Sequence, residues 1–378
     1  MIRRIKHTSK WYNRTVAVVF VLLLFFPTFQ KITSVVHEPE NLEKRKPVPP
    51  PVLKSRSIDD VHLFIRHFEL WFNDHFGLRK LFIRINSIID YRVFHTSPKA
   101  MVVVGKNGWL YYNNYKDGKN LNDYWGYVNF TKDELNKISK NLEGFKEMMA
   151  KRGIPVLFVL AANKHTIYPE FLPDNMRHTA APVTRADQVD SLFAVSGIPF
   201  IDLRPVMRNA RKHFPCDLYS KTDSHWNELG AFVGYQYIIR NVRSSIPLKQ
   251  YYTINDFTLS MQPNRGTGDL ADLIFMNGQL SDQDIKLKPK RIPMHFYVNG
   301  SYNQHTVIYG NMDKSKPRLL MFHDSFTLLL RNFLAEDFSH SAFVWSEKVY
   351  FQIIDSEKPD MLIVEFAERK SEMLLNLY

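Results

Sequence analysis

From residue 154 to residue 366 the chain alternates short, mostly apolar runs with longer segments of helical period, and few folds accommodate that pattern. The runs are residues 154–160, 198–203, 318–322, 341–345 and 360–366. Each is of strand length and lacks the polar alternation of a half-exposed strand, so each reads as a strand covered on both faces. The segments between and around them carry helix punctuation. Thr131-x-x-Glu134 is a capping box that opens a helix running to Arg152, where Gly153 stops it. Further helices are expected near residues 182–195, ended by Gly197, then from His225 to about Val242, at 326–335 and at 347–355. Repetition of strand and helix predicts an α/β domain of three layers, α/β/α, around a mostly parallel sheet. Residues 102–112 read as a hairpin about Asn107-Gly108, and residues 245–315 as an irregular insertion with short strand-like pieces.

The N-terminal quarter is of a different kind. Residues 15–30 hold no charge and include an unbroken apolar run from Val16 to Phe26. Sixteen residues at ~1.5 Å each cover roughly 24 Å, and continuation to Val36, with Lys31 snorkelling to the headgroups, completes a ~30 Å hydrocarbon core. Arg3, Arg4, Lys6, Lys10 and Arg14 precede the run, which places the N-terminus in the cytoplasm and everything after residue 36 outside. The expected organisation is a basic tail over residues 1–14 and a transmembrane signal anchor over 15–36. A cleaved secretory signal is the alternative, although no small-residue cleavage site follows the run. Five prolines in residues 37–57 suit an extended spacer, and residues 58–98 place apolar residues at helical spacing as two amphipathic helices broken at Gly77. His62, His67 and His75 lie in that lead-in at spacings that put no two on one helix face. The body then runs over 99–378.

Charge follows the same division. The formal net charge is +12, of which residues 1–56 carry +8, with 11 Lys/Arg against 3 Asp/Glu. The near-neutral remainder argues against a nucleic-acid-binding body. Cys216 is the only cysteine, so no intramolecular disulfide forms and stability rests on the core.

In parallel α/β sheets the site lies beyond the C-terminal strand ends, so the polar residues after each strand are candidates. These are Asn163-Lys164, the loop Lys221-Thr222-Asp223-Ser224-His225-Trp226-Asn227, His323-Asp324-Ser325-Phe326 and Glu368-Arg369. Ser325 falls at a strand-to-helix turn, where its hydroxyl faces a cleft and backbone amides can stabilise an oxyanion. Asp223 and His225 are two apart, which in an extended loop turns both to one side as an oriented general base. An N-cap for Asp324 or Ser325 and a surface pair for Asp223 and His225 are the plainer alternatives.

These residues resemble a known family. Gly108-Trp109-Leu110, residues 162–170 (Ala162-Asn163-Lys164 through Pro169-Glu170), residues 221–227, Gly268-Asp269-Leu270-Ala271 and residues 323–326 are similar, in this order, to segments of the SGNH-hydrolase-like alginate O-acetyltransferase family, over about residues 100–370. The resemblance implies that Asp223 orients, His225 is the base and Ser325 the nucleophile, with the serine last in chain order. Asn163 is the expected second oxyanion donor, and Arg369 and Trp226 are expected at the substrate, as an anion contact and a sugar-stacking ring. The family usually has glycine where this chain has His323, whose side chain is expected to crowd the turn or the oxyanion pocket.

The implied activity is acetyl transfer to a hydroxyl of a secreted or cell-surface polysaccharide, without cofactor or metal. The implied partners are that acceptor and a multi-spanning membrane acyltransferase that supplies acetyl groups. The implied location is the bacterial inner membrane, with one span and the catalytic domain periplasmic or extracellular. An esterase with the same triad and an inactive glycan-binding subunit remain as alternatives. So does a metal set of Asp223, His225, His323 and Asp324, although its spacing matches no strong motif.

Overall fold

A computed structural model describes residues 2–36, 46–114, 120–177, 182–248, 251–290, 296–301 and 306–378. The chain forms two compact units that divide after Pro98. The first holds α1 (Ile2–Thr33), α2 (Ile58–His75) and α3 (Arg79–Arg92). Within α1, the stretch Lys10–Thr33 contains an 18-residue window of mean hydropathy 2.0 and is long and apolar enough to cross a membrane. Helix α2 begins at Ser57, whose hydroxyl accepts from the Asp60 amide. Residues 37–45 of the spacer lie outside the described residues.

The second unit opens with β1 (Val102–Val104) and β2 (Leu110–Tyr112), antiparallel about Asn107 and Gly108, which both take positive φ. Next come α4 (Asn120–Tyr124), α5 (Lys132–Arg152), β3 (Val156–Ala161), α6 (Lys164–Ile167), α7 (Arg185–Ser196) and β4 (Phe200–Asp202). Then follow α8 (Leu203–Ala210), α9 (Glu228–Ser245), β5 (Phe257–Asn264), α10 (Asp269–Leu273) and β6 (Asp282–Pro289). The chain closes with β7 (Phe296–Gly300), β8 (Thr306–Asn311), β9 (Arg318–His323), α11 (Thr327–Asp337), β10 (His340–Trp345), α12 (Phe351–Glu357) and β11 (Met361–Ala367).

Seven strands form one mixed sheet in the order β4-β3-β11-β9-β10-β8-β7. The first five run parallel, and β8 and β7 add to the β10 edge antiparallel. Strand alternation divides the core in two. Leu157, Val159, Met321 and Ile363 face α8, α9 and α11, while Phe158, Leu160, Phe322 and Val364 face α5, α7 and α12. The sheet is therefore the middle of three layers. The capping box of α5 is present, with Thr131 accepting from the Glu134 amide and Gly153 left-handed at the other end.

The segment 245–315 is more regular than its sequence indicates. Strands β5 and β6 pair over eight residues as a separate hairpin, and β7 and β8 join the main sheet. Strand β7 escapes a pattern search because it is mostly exposed, and only its pairing with β8 makes it a strand.

Candidate active site

Two loops meet at the C-terminal edge of the sheet. The first, residues 220–227, joins α8 to α9 and is fastened on every side. Lys164 is buried, and its ammonium donates to three carbonyls, those of Ser220 (2.7 Å), Lys221 (2.8 Å) and Asp223 (2.7 Å). An ammonium has three protons, and all three are used. Burial pulls Lys164 down to about 7, against the charges of Asp223, Asp282 and Asp269. Asp282 of β6 accepts from the amides of Lys221 (3.1 Å) and Thr222 (2.9 Å) and from the Thr222 hydroxyl (2.6 Å). The first turn of α10 completes the hold, with the amides of Leu270 and Ala271 donating to the Thr222 carbonyl and that of Asp269 to Asp223 Oδ2.

That fastening brings the backbone of Gly268 hard against the loop. A Cβ at this position would overlap the Thr222 carbonyl and lie 2.6 Å from the Asp223 nitrogen. Gly268→Ala should displace Asp223 and His225 and lower turnover by about 10²-fold while most of the stability remains. Steady-state rates beside thermal melts check this; equal losses in both would make the residue merely structural.

Within the loop, Asp223 Oδ1 accepts from the His225 amide (2.9 Å) and from His225 Nδ1 (2.7 Å). A carboxylate acceptor fixes the proton on Nδ1, which leaves the Nε2 lone pair free. Burial alone would raise the Asp223 carboxyl. The hydrogen bonds and charge of His225, with the Asp269 amide, hold it well below the ordinary carboxylate range instead. A second carboxylate, Asp269, lies 3.7 Å from His225 Nδ1 and is raised by burial and by the charge of Asp223. It accepts from the amide (2.7 Å) and hydroxyl (2.6 Å) of Ser224.

The second loop joins β9 to α11 and carries Ser325, whose Oγ lies 2.7 Å from His225 Nε2. Asp324 shapes the turn, accepting from the Phe326 amide (2.9 Å) and, across to β11, from the Ala367 amide (2.7 Å). Glu365 lies behind it, fully buried, and takes the Thr327 hydroxyl (2.8 Å) and the Asp324 amide (3.2 Å). Burial and the neighbouring Asp324 push its carboxyl well above its usual range. The Ser325 N–H has no acceptor among the described residues.

His323 does not crowd this turn, contrary to the expectation from its size. Strand alternation puts it on the sheet face of Met321, its ring buried near Phe343 and Trp345 of β10. Its Nδ1 donates to the Asp324 carbonyl (2.6 Å), which orients the peptide that carries the Ser325 N–H. Burial pulls the imidazole down to about 4. The unfolded ring, near 6.5, takes a proton first, so the contribution of the neutral folded ring is complete above that pH and lost on the way to 4. His323→Asn should therefore flatten the acid limb of the thermal-stability profile between these values, by about 3 kcal/mol at its foot. Melts from pH 4 to 7 check it. His165, lowered to about 3 by burial, remains in the variant with the same sign.

Two expected substrate contacts face the interior. Trp226 is 2% exposed, donates Nε1 to the Phe326 carbonyl (3.0 Å) and packs edge-on against that ring, so it leaves no face for a sugar. Arg369 is 6% exposed, with its guanidinium over the rings of Tyr112 and Phe326. It donates to Asn163 Oδ1 (3.3 Å). Burial, which a sequence does not print, moves both from substrate to scaffold. Asn163 is also buried, its amide bonded to Glu368 and its Nδ2 without a partner among the described residues. Strand β11 separates its strand from that of Ser325, a backbone separation of roughly 10 Å. As for the metal alternative, both Asp324 oxygens are taken by amides and the His323 ring is buried on the sheet, so those four side chains do not converge.

Lys164, Asp269, Asp282 and Phe326 had drawn no role from sequence reasoning. Lys164, Asp269 and Phe326 do lie inside motifs of the resemblance, and Asp282 lies outside them. The site opens into a cleft of about 290 Å³. The β5–β6 region forms one wall through Asn264, Thr267, Asp284 and Lys286, and Leu328 and Leu329 of α11 form another.

A three-layer α/β domain with a mixed sheet and such a strand-edge turn defines the class: an SGNH-like α/β fold. Residues 102–298, just over half of the chain, match the family model described as "SGNH hydrolase-like domain, acetyltransferase AlgX", and the chain belongs to that family. It is 26% identical over 196 residues to the "Probable alginate O-acetylase AlgJ" of Pseudomonas aeruginosa, covering 49% of this chain and 45% of the relative. It is 23% identical over 181 residues to the protein of the same name from Pseudomonas syringae, covering 48% and 43%. The chain thus spans about half the length of the curated relatives it matches. Among solved structures, Bacillus cereus PatB1 superposes with a TM-score of 0.54 at 17% identity, over 72% of this chain and 98% of that one.

Proposed function

We propose that this protein is an O-acetyltransferase acting on hydroxyls of a secreted polysaccharide through a serine acyl-enzyme. The observation that carries the reading is the continuous hydrogen-bonded line from Asp223 through His225 to Ser325, with 2.7 Å at each step, at the mouth of a walled cleft. His225 Nε2 accepts the Ser325 proton as Oγ attacks the acetyl carbonyl, and the imidazolium then returns that proton to the departing group. In the second half His225 deprotonates an acceptor hydroxyl. That oxygen attacks the acyl carbon, and Ser325 leaves with its proton restored. The Ser325 N–H stabilises the tetrahedral oxyanion, with Asn163 Nδ2 as the candidate second donor. Asp223 orients, Lys164, Asp269 and Asp282 position the loop, and Trp226 and Arg369 hold Phe326 beneath the nucleophile.

The names of the curated relatives support alginate or a similar uronate polymer as acceptor. Helix α1 supports a single-pass anchor, read as N-terminus inside and body outside the bacterial inner membrane. Such an anchor raises the effective concentration of the body beside a multi-spanning acyltransferase that delivers acetyl groups. The test is acetyl partition by the detergent-solubilised full chain, given an activated acetyl ester with and without polymer. Acetyl appearing on the polymer at the expense of free acetate supports transfer; acetate release unaffected by polymer would make the protein an esterase.

A further inference from the structure

Exposed apolar residues of the first unit include two aligned sets, although Leu63 and Leu70 are also exposed on the other face of α2. On α2, Val61, Ile65, Phe68 and Phe72 follow one another at intervals of four, three and four, so they line one helix face. They are 37–57% exposed. On α3, Phe82, Ile85 and Ile89 form a second stripe, 43–49% exposed, and Val93 and Phe94 extend it past the helix end. A helix of a water-soluble domain turns such a stripe to its core; these two turn theirs outward.

The place of these helices accounts for the inversion. The turn between them packs on α1: Gly77 and Leu78 are buried, and a Cβ on Gly77 would collide with the carbonyl of Pro27. Pro27 is one helical turn before Lys31, the first charge after the apolar run, so the contact lies toward the outer end of the expected span. Helix α3 adds four basic residues, Arg79, Lys80, Arg84 and Arg92, against one acidic, Asp90, whereas α2 holds Asp59, Asp60, Glu69 and Asp74 against Arg66, so the basic complement belongs to α3 alone. Apolar stripe, basic complement and anchorage at the end of an apolar helix are together the physical description of a helix pair lying in a lipid–water interface.

We propose that α2 and α3 are interfacial helices that seat their stripes in the outer leaflet beside α1, with anionic headgroups as the ligand of the α3 basic residues. The proposal rests on the reading of α1 as a membrane span. It gives the first unit a function of its own, that of a collar holding the chain at the bilayer surface, where a single helix would leave a swivelling tether.

The test uses the full chain in vesicles of phosphatidylcholine with and without phosphatidylglycerol. In a Cys216→Ser background, Phe68→Cys, Ile85→Cys and Arg66→Cys each carry one environment-sensitive fluorophore, and nitroxide-labelled lipid is the quencher. Positions 68 and 85 should be quenched at least about threefold more than position 66, and the contrast at position 85, on the basic helix, should grow with anionic lipid. A chain that floats with the vesicles while positions 68 and 85 report water overturns the proposal and leaves the anchor intact. Shielding of those positions without lipid quenching also overturns it, since a protein surface then covers the stripes. A chain that does not float removes the anchor and the proposal together.

Discussion

Ser325→Ala should take up no acetyl group from an activated ester, where the parent chain gains one per molecule, and its turnover should fall by about 10⁴-fold or more. The substitution deletes one half-buried oxygen and leaves the turn untouched, because Asp324 and not Ser325 makes the hydrogen bonds that hold it. Melting temperature should accordingly stay near that of the parent. Intact-mass spectrometry of both proteins reads the result directly. A single adduct that persists in the variant refutes the nucleophile, and unchanged polymer acetylation in cells carrying it would favour a non-catalytic subunit.

The second large effect is expected at a residue remote from any substrate. Lys164→Met keeps the length and most of the bulk of the side chain and removes its three protons. The carbonyls of Ser220, Lys221 and Asp223 then lose their shared donor in a buried setting. An orphaned buried polar group costs about 1–3 kcal/mol, so a loss of about 3 kcal/mol or more is expected even with partial relaxation. The loop that springs free carries Asp223 and His225, so turnover should fall by about 10²-fold at temperatures where the variant is still folded. Calorimetry and rate measurements on one preparation separate these effects. A variant of normal stability and rate would show that the loop stands without Lys164.

The legible parts of this molecule are those where one residue's neighbours in sequence are also its neighbours in space. Residues 154–160 are apolar without a break because β3 is covered on both faces, and Thr131 with Glu134 declares the start of α5 within one turn. Strand β8 depends on pairing with β10, and the mostly exposed β7 on pairing with β8, so their sequences say little alone. The same distinction separates the site residues. Asp223, His225 and Ser325 could be proposed because two stand in one short loop and the third at a strand end. Lys164 acts on carbonyls 56 to 59 residues away, and a lysine in a short helix reads as a surface residue until its partners are known. Trp226 and Arg369 misled in the opposite direction, since their residue types suit sugars and anions but their burial suits a scaffold.

Loops that carry reactive groups ordinarily belong to the least stable part of a fold, and many catalysts use that softness to close over a substrate. Residues 220–227 are bound like a core element, to β2, α6, α10, β6 and the β9–α11 turn at once. Such a loop opens only when the domain around it opens. Discrimination between one hydroxyl and another then falls to the fixed outline of the cleft, as in a mould, and an acceptor is chosen by fit before any part of the protein moves.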